Sequence, residues 1–268
     1  LSQANDTRPT LRVIKIGGNV INNADLLQRF LVDISNIEGP FILVHGGGNI
    51  ATTVAEQMGI QQTLVDGRRI TNAETLRVAV MVYAGLINKT IVANLQALNC
   101  QAMGFTGADG NLVRSTKRVS TEIDFGFVGD VEVSGINVAK FSEIIHSGTV
   151  PVICSITHDG RGTLLNTNAD TMAARIAVAL ASPFQVNLTF CFEQVGVLSE
   201  PSNPASLLTT LSKSACENLK ATGAVTAGMI PKLDNAFWAF EQGVSSVSIC
   251  HAQHIASASA KFIGTTLV

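Results

Sequence analysis

Leu11-Arg12-Val13-Ile14-Lys15-Ile16-Gly17-Gly18 is a short apolar run that stops on paired glycines, and a helical pattern follows over residues 24–34. Phe41-Ile42-Leu43-Val44-His45-Gly46-Gly47-Gly48 repeats the arrangement, with a helical pattern over residues 49–58. Short apolar runs bounded by turn residues suit strands buried on both faces. Outward from these two stretches the alternation continues. Apolar residues recur at helical spacing over 73–98, residues 100–105 and 150–156 read as buried strands, and 111–138 reads as short antiparallel strands and turns over the main sheet. A helix is expected over 168–181, a strand over 185–191, helices over 206–221 and 228–242, and strands over 247–250 and 264–268. Strands alternating with helices predict an α/β fold with a mostly parallel central sheet and helices on both faces. The one candidate lobe boundary is Ser182-Pro183.

The chain has 268 residues, enough for one large domain or two closely packed lobes. Apolar residues make up 46% and charged residues 14%, a balance that suits strands buried on both faces or a large subunit interface. No uninterrupted apolar run reaches the ~18 residues of a membrane helix, so no membrane partner is expected. A net charge of −2, one Trp, one Tyr and no long basic run argue against nucleic acid. The five cysteines, Cys100, Cys154, Cys191, Cys216 and Cys250, are dispersed and odd in number. They suggest neither a disulfide framework nor a zinc site, but buried thiols in a reducing cytoplasm. Residues 1–10 are polar, lack a hydrophobic signal core and are expected to be disordered or foreign to the fold.

Three familiar signatures fail. The phosphate-loop pattern would use Gly223 and Gly228, but Met229 stands where its Lys is required. Gly46, Gly48 and Ala51 match the dinucleotide pattern, yet no acidic residue ends a strand about 20 residues on. His45 to Gly48 resembles an esterase oxyanion loop, but no G-x-S-x-G elbow accompanies it. What remains is bare backbone at two strand ends, where open parallel sheets bind anions. Lys15 lies inside an apolar strand, and a buried Lys requires a partner or an anionic ligand. Lys232 near a helix start and Asp170 at another would each, alone, be ordinary.

Together, residues 14–18, 44–48, Asp66-Gly67 with Arg69-Ile70-Thr71, 166–170 and 226–232 stand in the order and spacing of the amino-acid kinase family. The chain resembles that family almost throughout from Leu11, and within it the members that act on an N-acylated glutamate. The resemblance implies an open αβα sandwich, an N-acylglutamate-binding lobe over residues 11–182, an ATP-binding lobe over 183–268 and a homodimer. It implies ATP-dependent phosphorylation of the γ-carboxylate of N-acetyl-L-glutamate, or another N-acyl glutamate, to an acylphosphate in arginine and ornithine biosynthesis. Mg²⁺ would enter on the phosphates, with no metal site in the protein. Lys15 and Lys232 resemble the lysines that hold the transferring phosphoryl group, and Asp170 the acid that orients both. Gly47 and Gly48 match backbone donors, and Arg69 and Asn166 match the holders of the substrate's α-carboxylate end. Gly17, Gly18, Glu193, Gly196 and Thr226 would face ATP. The segment Phe190-Cys191-Phe192-Glu193-Gln194 departs from the family's usual Asp-containing pattern, with Glu193 in the acidic role, and Thr63-Leu64 replace a common basic residue. The alternatives are a relative acting on carbamate, aspartate or a nucleoside monophosphate, and a non-catalytic amino-acid sensor on the same fold.

Overall fold

In the computed structural model, which describes residues 7–65, 68–200, 203–225, 228–259 and 262–268, the opening strand β1 (Thr10–Ile16) is buried on both faces. Residues 1–6, Asp66, Gly67 and Thr226 lie outside the described residues. After β1 come α1 (Gly18–Asn22), α2 (Ala24–Ser35), β2 (Phe41–His45), α3 (Gly48–Gln57), and the short hairpin β3 (Leu64–Val65) and β4 (Arg68–Arg69). One long helix follows, α4 (Ala73–Ala79) and α5 (Asn88–Ala97) joined by π-helical turns over Val80–Ile87. The chain continues through β5 (Ala102–Phe105), β6 (Val113–Lys117), β7 (Val128–Ile136), α6 (Val138–His146), β8 (Val150–Cys154), β9 (Ile156–His158) and β10 (Leu164–Thr167). Next are α7 (Ala169–Leu180), β11 (Gln185–Phe192), β12 (Thr210–Leu211), α8 (Lys213–Ala221), α9 (Ile230–Glu241), β13 (Ser246–His251) and β14 (Thr265–Leu267).

Eight strands form the central sheet in the order β12-β14-β13-β11-β1-β2-β8-β5. All its pairings are parallel except β13 with β14. β11 lies beside β1 in register from Thr10↔Gln185 to Ile16↔Cys191, so the sheet runs unbroken past residue 182. Alternate residues of β1 feed two cores. Leu11 and Val13 join the helices α6, α7 and α9 on one face, while Ile14 and Ile16 join α2 and the long helix on the other. Fully buried Phe30 and Phe141 each contribute roughly 1.5–3 kcal/mol of transfer free energy on either side. The long helix, Ala73–Ala97, is apolar enough by length and composition to cross a membrane. It is a core helix here: Val78, Val82, Ile91 and Leu95 are buried against the sheet.

The antiparallel region expected over 111–138 is half of a small closed barrel, β10-β7-β6-β9. Its interior holds a hydroxyl chain, Ser115 Oγ to Thr157 Oγ1 at 2.6 Å and on to Thr167 Oγ1 at 2.9 Å. Two expectations need correction. The strand over 150–156 breaks at Ser155, where the chain leaves the sheet after Cys154 and enters the barrel at Ile156. The helix over 206–221 begins only at Lys213, because Ser212 caps it through the Ala215 amide and Thr210–Leu211 pairs instead with β14.

Candidate active site

Lys15 is the penultimate residue of β1 and points to the same face as Leu11 and Val13. It is only 6% exposed, a position no ammonium occupies without a counter-charge. Asp170 supplies it, with Oδ1 2.6 Å from Lys15 Nζ. Asp170 stands in the first turn of α7, which Asn168 caps by accepting from the Thr171 amide, and the helix dipole there favours a carboxylate. Burial alone would push this carboxyl up, but the Lys15 and Lys232 charges outweigh it and hold the group below its usual value. Lys232 sits in the first turn of α9 and donates to the Gly228 carbonyl at 3.2 Å. The starts of α7 and α9 are thus brought to one place. The helices are clamped further along by the Arg175 guanidinium, 3.3 Å from the centroid of the Trp238 ring.

The two glycine sites differ in what they offer. Gly17 donates to the Cys191 carbonyl at 2.8 Å, extending the β1–β11 ladder, whereas the Cα of Gly18 faces open space. Gly46 packs beside Ala169, so the second glycine loop abuts the start of the Asp170 helix. Gly47 precedes α3 as its cap residue and Gly48 is its first residue, and no side chain of the cap satisfies the opening amides of this ten-residue helix. A cross-link joins the loops: Asn49 donates to Asn19, and Asn19 donates to Glu193 Oε1 at 3.0 Å. Gly196 is buried against Leu207 and Thr265, where a Cβ would fall 2.6 Å from Leu207 Cδ1, so its visible role is close packing.

Arg69 and Asn166, 97 positions apart in sequence, are joined through Thr71. Asn166 Nδ2 donates to Thr71 Oγ1 at 3.1 Å, and that hydroxyl donates to the Arg69 carbonyl at 3.0 Å. The Arg69 guanidinium donates to Gln62 Oε1 and, at 2.7 Å, to Thr52 Oγ1 in the first half of α3. It also hydrogen-bonds the Tyr83 hydroxyl, whose burial pushes the phenol up against the pull of the guanidinium. Tyr83 belongs to the π-helical turns and backs Gly47 together with Ile87. Thr52, Gln62, Thr71 and Tyr83 were not singled out from sequence, although Thr71 closes a matching stretch and Tyr83 is the sole tyrosine. Gly126 holds Thr71 in place. Its φ is +70°, and a Cβ there would lie 2.2 Å from the Thr71 carbonyl oxygen. Gly126→Ala is therefore expected to cost about 1–3 kcal/mol and to raise KM for the acceptor substrate more than KM for ATP. A melting curve and steady-state kinetics check both effects.

A glycine loop after β2 and a buried Lys–Asp pair at the end of β1 thus stand at the C-terminal ends of parallel strands in an α/β fold, with the Lys232 charge acting on Asp170. The sequence profile described as the amino acid kinase family matches residues 10–251, and the chain belongs to that family. It is 49% identical to an acetylglutamate kinase of Cytophaga hutchinsonii over 96% of this chain and 98% of that protein. An acetylglutamate kinase of Phocaeicola vulgatus is 49% identical over 91% of this chain and 95% of that protein. Among solved structures, N-acetylglutamate synthase from Neisseria gonorrhoeae, complexed with coenzyme A and N-acetyl-glutamate, superposes with a TM-score of 0.82 at 21% identity. That match covers 97% of this chain and 60% of the synthase, and it bears on the fold.

Proposed function

We propose that this protein is a kinase that uses MgATP to phosphorylate the γ-carboxylate of N-acetyl-L-glutamate, a step of arginine biosynthesis. The observation that carries the reading is the buried Lys15–Asp170 pair beside Lys232 and the Gly46–Gly48 loop, in a chain 49% identical to acetylglutamate kinases. The nucleophile is the substrate's own carboxylate, ionised at neutral pH, so no general base is required. The obstacle is the approach of one anion to another, and catalysis consists of positioning and charge stabilisation. Lys15 and Lys232 offset the charge on the transferring group, and Asp170 holds Lys15 in place. The Gly47 and Gly48 amides donate to phosphoryl or carboxylate oxygens. Arg69, steadied by Gln62, Thr52 and Tyr83, takes the α-carboxylate, with Asn166 beside it. Residues 11–182 form the acylglutamate lobe and 183–268 the ATP lobe, with Gly18 and Glu193 facing the nucleotide. Mg²⁺ enters as part of the ATP substrate.

Trapping the product with hydroxylamine tests the reading. MgATP-dependent hydroxamate should form with N-acetyl-L-glutamate, and a parallel series with N-succinyl-L-glutamate sets the acyl preference. ADP release without hydroxamate from either acceptor defeats it.

The protein is also assigned to the cytoplasm, where its five free thiols remain reduced. It is assigned as a homodimer that uses the open edge of the sheet at β5. Met103 on that strand and Met81 and Leu86 on the long helix are 53%, 45% and 56% exposed, and an unpaired edge strand favours association. Light scattering should give twice the chain mass, and Leu86→Arg with Met103→Lys should give the monomer mass. A monomeric wild type rejects this arrangement.

A further inference from the structure

His45 ends β2 and enters no step of the mechanism above, yet it is completely buried beside the glycine loop. Its Nδ1 lies 2.8 Å from the Gly46 carbonyl oxygen. A carbonyl only accepts, so Nδ1 carries the proton and Nε2 bears a lone pair. Nε2 lies 3.1 Å from Asn88 Nδ2, which also donates to the Val152 carbonyl at 2.9 Å. The other end of the same amide, Oδ1, accepts from Lys89 Nζ at 3.1 Å, and Lys89 donates to the Gly104 carbonyl at 3.1 Å. Each partner's chemistry fixes the next: Val152 can only accept and Lys89 can only donate, so the Asn88 amide has one orientation and His45 one tautomer. Burial pushes the imidazole down to about 4, which keeps it neutral in this role. Space for the chain is reserved at Gly104, where a Cβ would fall 1.8 Å from Asn88 Oδ1.

The consequence lies on the far side of one peptide unit. No peptide bond among the described residues is cis. In a planar trans unit the carbonyl of Gly46 and the N–H of Gly47 point in opposite directions. Tying the carbonyl to His45 turns the Gly47 N–H to the side opposite the imidazole, and among the described residues it meets no backbone acceptor. Glycines on either side leave this peptide free to flip by rotation about the neighbouring bonds, so an external tether is needed to hold it.

We infer that His45 and Asn88 are positioning residues whose hydrogen-bond chain locks the Gly46–Gly47 peptide so that the Gly47 N–H is aimed at the oxygens of the reacting groups. The inference rests on the phosphoryl-transfer reading and adds to it the device that preorganises one of its donors. A donor already aimed costs no reorganisation as charge develops.

The test compares His45→Leu, His45→Asn and Asn88→Leu with the wild type in the hydroxamate assay, with melting curves for each. An Asn side-chain amide places a donor near the position of the imidazole Nδ1, so His45→Asn keeps the tether to Gly46 and His45→Leu removes it. His45→Leu and Asn88→Leu should lower kcat by about tenfold or more, short of the ~10²–10³ lost when a donor is deleted. KM for both substrates should stay within about threefold, and His45→Asn should recover most of kcat. Equal losses in His45→Leu and His45→Asn would show that ring packing matters and overturn the inference, as would wild-type kcat in a folded His45→Leu. A silent wild type overturns the kinase reading itself. Should the Leu variants fail to fold, glycine-selective ¹⁵N spectra of the wild type decide. The Gly47 amide must shift strongly when MgADP and N-acetyl-L-glutamate bind together, and an unmoved resonance rejects the role.

Discussion

Lys15→Met should reduce kcat by at least ~10²-fold, the scale seen when one preorganised donor to a transition-state charge is removed. It should also lower stability by about 3–5 kcal/mol, because Asp170 is left as a buried carboxylate without its contact partner. For a chain of this size the melting temperature falls by roughly 10 °C. The double variant Lys15→Met with Asp170→Leu separates the two effects. Replacing both members of a buried ion pair by apolar groups of similar size is often neutral or stabilising. The double variant should therefore regain the lost melting temperature while remaining inactive. Recovery of activity would remove both residues from catalysis. The pH dependence has a definite sign. Asp170 is held below its usual value, so the stability it contributes is complete above the unfolded carboxyl range and is lost as pH falls through the lowered value. Wild-type stability should hold down to about pH 4 on account of this pair, and Asp170→Asn should flatten the acid limb.

Arg69→Ala should raise KM for N-acetyl-L-glutamate by ~10²-fold, as expected for the loss of a charge-assisted hydrogen bond worth roughly 1.5–3 kcal/mol. KM for MgATP should change little, since the Arg69 frame of Gln62, Thr52 and Tyr83 lies on the α3 and long-helix side of the glycine loop. Lys at this position should rescue only part of the loss, because an ammonium cannot meet three partners with a planar fork and still pair a carboxylate. Steady-state kinetics with each substrate varied in turn read the result. Equal changes in both KM values would place Arg69 outside the acceptor site.

Most of the sheet was legible because strands such as β1 and β2 are buried on both faces and read as continuous apolar runs that stop on glycines. Lys15 was legible for the same reason, as a charge where the pattern demands an apolar residue. The break at Ser155 was hidden because the apolar run continues through it, and only the barrel's register divides β8 from β9. The late start of α8 left a visible trace, Ser212, that helical spacing of the preceding leucines obscured. Among site residues, those inside glycine-rich or charged motifs stood out. Thr52, Gln62 and Tyr83 did not, because each acts by holding Arg69 and carries no signature of its own. The His45–Asn88 contact joins residues 43 positions apart and exists only once β2 and the long helix pack.

The most direct measurement of the central claim follows the oxygen that joins the two substrates. N-acetyl-L-glutamate labelled with oxygen-18 in its γ-carboxylate is turned over with unlabelled MgATP in the presence of hydroxylamine. If the carboxylate attacks the γ-phosphoryl group, hydroxylamine then cleaves the acyl carbon–oxygen bond. Each phosphate released should carry one labelled oxygen, in amounts matching ADP and hydroxamate. Unlabelled phosphate formed along with ADP would mean that water is the acceptor, and would contradict the account.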